Sequence, residues 1–246
     1  MTPKIPFDPP PRNLELVNGD THVFYAALDP PLSRLVRFAE ILSADERARA
    51  GRYRFERDRN RFLAGRGTLR EILGWLLHVE PACLVFACGD RGKPRLAAPV
   101  GGRLLYFNLA HSDALAVYAV SAQYEVGIDV ERIRPIGEAE AIATRFFSAR
   151  ENAEWRSVPA ERRTEAFFSL WTYKEALLKA AGVGLGGPFN QMDFLLPPSQ
   201  PAPVPPSAKA QSAISRYFLY SLVPADGYTG AAATKAHDAP FCWKWS

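Results

Sequence analysis

Two long helical stretches, residues 58–78 and 160–181, each follow a β-strand and precede further strands, and this recurrence restricts the fold more than any other feature. In the first stretch Phe62, Leu69, Leu73 and Leu76 recur at helical spacing. Ahead of it, THVFYAAL (21–28) reads as a strand, and SADERARAG (43–51) as a short helix with Ser43 as its N-cap. After it come short strand candidates at 83–87 and 104–108 and a strong one, ALAVYAVS (114–121). A strand at EVGIDVERI (125–133) then opens a second round. Residues 138–182 read as helical in two or three pieces, broken near Ser157-Val158-Pro159. MDFLL (192–196), SRYFLYSLV (215–223) and YTGAAAT (228–234) read as strands, and PPSQPAPVPP (197–206) as a proline-rich connection. The order predicts an α+β chain of two similar subdomains with a seam near 122–126. The expected division is an irregular arm over 1–20, an N-terminal subdomain over 21–123 and a C-terminal subdomain over 124–246.

With 246 residues, 48% hydrophobic and 23% charged, the chain has enough apolar material for such cores. No apolar run approaches the roughly 20 residues a membrane span needs. The opening MTPKIPFDPPPRN has no apolar core, so no secretory signal is expected. Cys83, Cys88 and Cys242 form neither a disulfide framework nor a zinc pair, and the four histidines lack metal-ligand spacing. A reducing cytoplasm is the expected compartment. Net charge is +4, and 23 of the 30 basic residues are arginine. This balance suits phosphate or an acidic partner, and by itself does not separate those from nucleic acid.

Gly127-Ile128-Asp129-Val130-Glu131 is the first informative site. Alternate residues of a strand share a face, so Asp129 and Glu131 lie together, about 6.5–7 Å apart. Carboxylates that close either repel as part of a solvated face or share a cation, and a hard ion such as Mg²⁺ takes oxygen ligands. The second site is Trp171 to Lys179, where Glu175 and Lys179 stand one turn apart. They form a routine surface pair or, because the run Phe167 to Trp171 before them is apolar, an inward-facing one. A third carboxylate near Asp129 and Glu131 would complete an oxygen cage. Residues 52–70 hold seven arginines, Arg61 among them. Arg91-Gly92-Lys93-Pro94 presents a lysine on a turn, and Phe107 to Ser112 ends a strand with His111.

The ordered set resembles the 4′-phosphopantetheinyl transferases of the Sfp type. The family's G-[IV]-D-x-E, F-S-x-x-E, W-[ST]-x-K-E-[AS]-x-x-K and G-x-G-L patterns stand here as Gly127–Glu131, Phe147–Glu151, Trp171–Lys179 and Gly182–Leu185. The G-K-P turn matches Gly92-Lys93-Pro94, and F-N-x-S-H-S matches Phe107 to Ser112 with Ala110 in place of serine. The resemblance spans about residues 50–190. It implies a pseudo-dimer of two α/β subdomains, each a small, mostly antiparallel sheet packed against helices. It also implies a Mg²⁺-dependent enzyme, with Mn²⁺ as the alternative metal, that moves the phosphopantetheine arm of coenzyme A to a serine of an acidic apo acyl or peptidyl carrier protein and releases 3′,5′-ADP. Asp129, Glu131 and Glu175 would be metal ligands, Glu175 the base, and Lys179 the group meeting the leaving phosphate. Arg61, with Arg54 and Arg57 as the alternatives to it, Lys93 and His111 would bind the nucleotide end of coenzyme A, with Lys174 as a further phosphate contact. Glu151 would support the metal cage or orient the carrier serine. Ala110 removes a hydroxyl, so weaker or differently balanced coenzyme A binding is expected, without loss of activity. A monomer is expected, with no membrane or nucleic-acid partner. The competing readings are a nuclease-like phosphate enzyme, which lacks the lysine such strands carry because Ile133 stands there, and an arginine-rich nucleic-acid binder, which lacks exposed aromatics if Phe55 and Phe62 are core.

Overall fold

The computed structural model describes residues 8–89, 92–183, 202–203 and 216–245. Arg91, the expected strand 192–196, most of 197–206 and the turn beyond Val183 lie outside them. The first half runs β1 (Thr21–Ala27), α1 (Leu32–Ile41), α2 (Ala44–Ala50), α3 (Glu56–Leu77), the hairpin β2 (Phe86–Cys88) and β3 (Pro94–Leu96), then β4 (Tyr106–Ser112) and β5 (Leu115–Ser121). The second runs β6 (Gly127–Arg132), α4 (Ala139–Phe146), α5 (Ala149–Ser157), α6 (Ala160–Ala181), β7 (Ala202–Pro203), β8 (Phe218–Leu222), β9 (Tyr228–Thr234) and β10 (Phe241–Lys244). Helix α1 has no counterpart in the sequence reading, and the strand expected at 83–87 begins only at Phe86, after a 3₁₀ turn at Pro81–Cys83.

The two sheets have orders β10-β1-β5-β4 and β6-β9-β8-β7. In each half the opening strand pairs antiparallel with a later one, β1 with β5 and β6 with β9, and that one pairs antiparallel with β4 or β8. The expected α+β architecture of two similar units is therefore present. Strand β10, inside the expected range 124–246, joins the first sheet by parallel pairing with β1. The described part of the arm, from Asp8, is tied down: Asp8 bridges to Trp243, and Leu16 is buried in the first core.

Each half has its own core. The first gathers Phe24, Phe38, Leu69, Leu73 and Tyr118, and the second Phe147, Trp155, Phe167, Tyr173 and Leu177. A third cluster, with Val23, Ala110, Val117, Ile128, Val130 and Ala232, fills the seam. There β4 lies beside β6 without a backbone ladder. Instead Asn108 Oδ1 accepts from the Ile128 N–H at 2.9 Å and Ser112 Oγ from the Arg132 N–H at 3.1 Å. Both contacts have the same sequence offset, so the two strands run in the same direction.

Candidate active site

Glycine at 127 sets the geometry. A Cβ there would fall 1.9 Å from the Ala176 carbonyl oxygen and 2.4 Å from the Ala180 nitrogen. Only a residue without a side chain lets β6 press onto the backbone of α6. Helix α6 then ends on Gly182, at φ 68°, after presenting Glu175 and Lys179. The close approach lets the short Asp129 side chain reach α6, where Lys179 Nζ donates to Asp129 Oδ1 at 2.7 Å and to the Ile128 carbonyl at 3.3 Å. Glu131 Oε2 accepts from Ser112 Oγ at 2.7 Å.

The three expected carboxylates thus lie in one region of the seam, near enough for Asp129 to feel Glu175 and Glu131 and for Glu175 to feel Glu131. Asp129 and Glu175 are buried, and Asp129 Oδ2 and Glu175 Oε1 have no hydrogen-bond partner. Burial pushes Asp129 up to about 7 against the pull of Lys179, and repulsion from Glu175 and Glu131 adds to the rise. Glu175 is raised as well, by burial first and by Glu131, with Lys179 opposing. Unsatisfied carboxylate oxygens in a crowded acidic corner are donors of the kind a hard cation takes. As the side chains stand, with Lys179 on Asp129, the described residues contain no group of three or more His, Cys, Asp or Glu that could hold a metal. The donor chemistry fits Mg²⁺, while closure of a cage needs the side chains to adjust.

His111 belongs to the same corner. Its ring reaches solvent at a crowded rim, and its pKa is lowered by desolvation first, then by Lys179 and Arg61, with Glu131 opposing. Arg61 lies just beyond. It forks onto Asp29, with Nε and Nη2 each at 2.8 Å, and its Nη1 meets Asp113 at 2.8 Å. Asp113, in the left-handed region at φ 51°, also takes Arg132. Lys93 stands at the other end of the seam. Its ammonium donates to Glu125 Oε2 at 2.7 Å, the Val126 carbonyl at 2.9 Å and the Lys179 carbonyl at 3.1 Å. Lys93 and Lys179 share the wall of a cleft of about 970 Å³ with Arg95, Phe107, Arg216 and Tyr217.

Four expectations change. Lys174 is fully buried, with its Nζ 2.8 Å from Glu151 Oε2, itself fully buried, so Lys174 meets no phosphate. Glu151 neither supports the cage nor orients a carrier serine: it is fully buried and closes a capping box with Ser148, accepting the Ser148 N–H at 2.7 Å while Ser148 Oγ accepts the Glu151 N–H at 3.1 Å. Ala110 is buried in the seam core, so an added hydroxyl would enter that core and not a ligand pocket. Phe55, expected inside, is 60% exposed. Gly127 and Ser112 fall inside the sequence motifs, which give neither a role. The signal for Gly127 is a glycine at the start of a strand whose inward positions, Ile128 and Val130, are apolar.

Comparison with known proteins agrees with this geometry. Residues 125–232 match the model of the 4′-phosphopantetheinyl transferase superfamily, and residues 27–123 match that of the 4′-phosphopantetheinyl transferase N-terminal domain. The 4′-phosphopantetheinyl transferase HetI of Nostoc sp. is 42% identical over 236 residues, covering 96% of this chain and 94% of its own. The chain belongs to the 4′-phosphopantetheinyl transferase superfamily. A putative 4′-phosphopantetheinyl transferase of Synechocystis sp. is 36% identical over 69% of the chain and 68% of its own length. Sfp of Bacillus subtilis strain 168 is 29% identical over 69% of the chain and 74% of its own. The protein is accordingly an enzyme, a transferase. Among the described residues no helix is long and apolar enough to cross a membrane.

Proposed function

We propose that this transferase moves the 4′-phosphopantetheine arm of coenzyme A onto a serine of an apo acyl or peptidyl carrier protein, with Mg²⁺ bound and 3′,5′-ADP released. The observation that carries the reading is the convergence of Asp129, Glu131 and Glu175 with Lys179 across the seam, with two buried carboxylate oxygens left without partners. Asp129, Glu131 and Glu175 would hold the Mg²⁺, which neutralises the diphosphate and polarises the phosphorus under attack. The serine oxygen bonds to the phosphorus nearer the pantetheine arm, and the bond from that phosphorus to the bridging oxygen breaks. Glu175, or a water it orients, takes the serine proton. Lys179 meets the charge that gathers on the departing nucleotide. His111 and Lys93 flank the acidic corner from either end, as contacts to the nucleotide require. Arg61 serves there if its fork moves from Asp29 to a phosphate, the same geometry with a different anion. Exposed arginines of the first half steer an acidic carrier toward the seam. The protein acts as a monomer in the reducing cytoplasm, in keeping with its three free cysteines.

The test is a mass measurement. With Mg²⁺, coenzyme A and an apo carrier, the carrier gains the mass of one phosphopantetheine arm and 3′,5′-ADP appears in step. A carrier of unchanged mass, across a panel of acyl and peptidyl carriers, would end this reading.

A further inference from the structure

Strand β4 serves the backbone of β6 with two side chains, and only one of them also touches the acidic corner. Asn108 stops at the Ile128 N–H. Ser112, 8% exposed, makes two bonds with one hydroxyl. Its oxygen accepts the Arg132 N–H at 3.1 Å, and its proton goes to Glu131 Oε2 at 2.7 Å. A hydroxyl has a single proton to give, so the backbone donor on one side fixes its direction on the other. The two bonds also span the two halves, because Ser112 belongs to the first sheet and Glu131 to the second.

We infer that Ser112 is a positioning residue for the transfer reaction: it anchors one oxygen of Glu131 from across the seam, so that the other is presented to the cation together with Asp129 and Glu175. Glutamate is long and flexible, and Glu131 is only half-buried. Asp129 is short and held by Lys179, and Glu175 sits on a rigid helix. Glu131 is the ligand that most needs an outside partner, and hydrogen bonds from such partners orient metal-binding carboxylates before the ion arrives. The corner is then complete only when the two halves are seated against each other.

This inference rests on the proposed Mg²⁺ site, and the experiment separates the two. The intact protein is titrated with Mn²⁺, and the free ion is counted by its electron spin resonance signal, in one arm without and in another with coenzyme A. Thermal unfolding is followed in parallel. Ser112→Ala should weaken Mn²⁺ uptake about 10- to 100-fold. Ser112→Thr, which keeps the hydroxyl, should restore it. Asn108→Ala breaks the companion seam bond and should lower the unfolding temperature while leaving Mn²⁺ uptake near wild type. Wild-type uptake by Ser112→Ala overturns the inference, and so does an equal loss in Asn108→Ala, which would make the integrity of the seam the cause. A wild-type protein that takes up Mn²⁺ in neither arm removes the metal site itself and the role of Ser112 with it.

Discussion

The two long helices are built on one plan and put to different uses. Both α3 and α6 have 22 residues, and the fifteenth residue of each is a buried cation, Arg70 and Lys174. Each cation pairs with the glutamate of a capping box that opens the short helix just before: Glu46 takes Arg70 Nε at 2.7 Å and Glu151 takes Lys174 at 2.8 Å. The next residue is a glutamate in both, and there the halves part. Glu71 is neutralised by Arg34 at 3.0 Å and Arg37 at 3.6 Å, and Trp245 Nε1 donates to it at 3.3 Å. Glu175 is left with a buried oxygen that has no partner. Four residues further on, α3 has Trp75 and α6 has Lys179. The distance to the sheet differs too. On the first side the whole ring of Tyr118 bridges from β5 to the Gly65 carbonyl of α3 at 3.1 Å, whereas on the second Gly127 lets the backbones touch. A scaffold can be repeated while its reactive position is satisfied in one copy and left unsatisfied in the other.

The sharpest way to break this comparison is to remove the same charge from both helices. Glu175→Gln should cost about 10²- to 10⁴-fold in transfer rate, the range expected for losing a positioned base, and more if metal binding fails with it. Glu71→Gln should leave the rate near wild type. Equal rates for both variants would remove the asymmetry. Next come the buried cations. Lys174→Met strands a buried glutamate and should destabilise by about 3–5 kcal/mol in urea unfolding, whereas Arg70→Met should cost less, because Arg66 still meets Glu46 at 3.1 Å. The double variant Lys174→Met/Glu151→Gln should recover much of the loss, because no buried charge is left alone. A small, equal effect in all three would show that the pairs are not structural clamps. Gly127→Ala should cost about 3 kcal/mol, the upper end for overpacking against backbone. Gly65→Ala meets only Leu28 Cδ2 at 3.6 Å and should be neutral or gain up to about 1 kcal/mol of helix propensity.

The smallest effect at neutral pH is a titration of the first sheet. His22 stacks on Phe241 and Trp243 and accepts the Trp243 indole N–H at 3.1 Å, which joins β1 to β10. Burial lowers its pKa to about 4, with Asp20 opposing. Below pH 6.5 the unfolded ring takes up a proton that the folded ring refuses, so the unfolded state binds more protons. Stability is therefore unaffected above pH 6.5 and declines as the pH falls through 4, by about 3 kcal/mol in all. His22→Phe should flatten that decline, and a curve of unchanged slope would show that His22 is not its source.

Much of this plan was legible in the sequence. The strand-helix-strand recurrence predicted two similar units, and alternation along Gly127–Glu131 put both acids on one face. The capping boxes were visible as S-x-x-E at 43–46 and 148–151, although only Ser43 was read as a cap. Lys174 is misplaced by the motif as a phosphate contact, because its partner lies in another helix and helical spacing shows direction around an axis but not depth. The neighbour of β1 was hidden for a similar reason: a short strand at 241–244 carries no local sign of pairing with residues more than 200 positions earlier. Ala110 misled because a motif gives residue types in order without saying which ones face the seam.

Strand β10 gives the molecule a temporal property as well as a spatial one. During synthesis the first sheet can assemble from β1, β5 and β4 while the second half is still being made, but its outer strand emerges only after β9. The first sheet cannot gain its outer strand until β10 has been made, so the order of the chain ties completion of the first half to synthesis of the second.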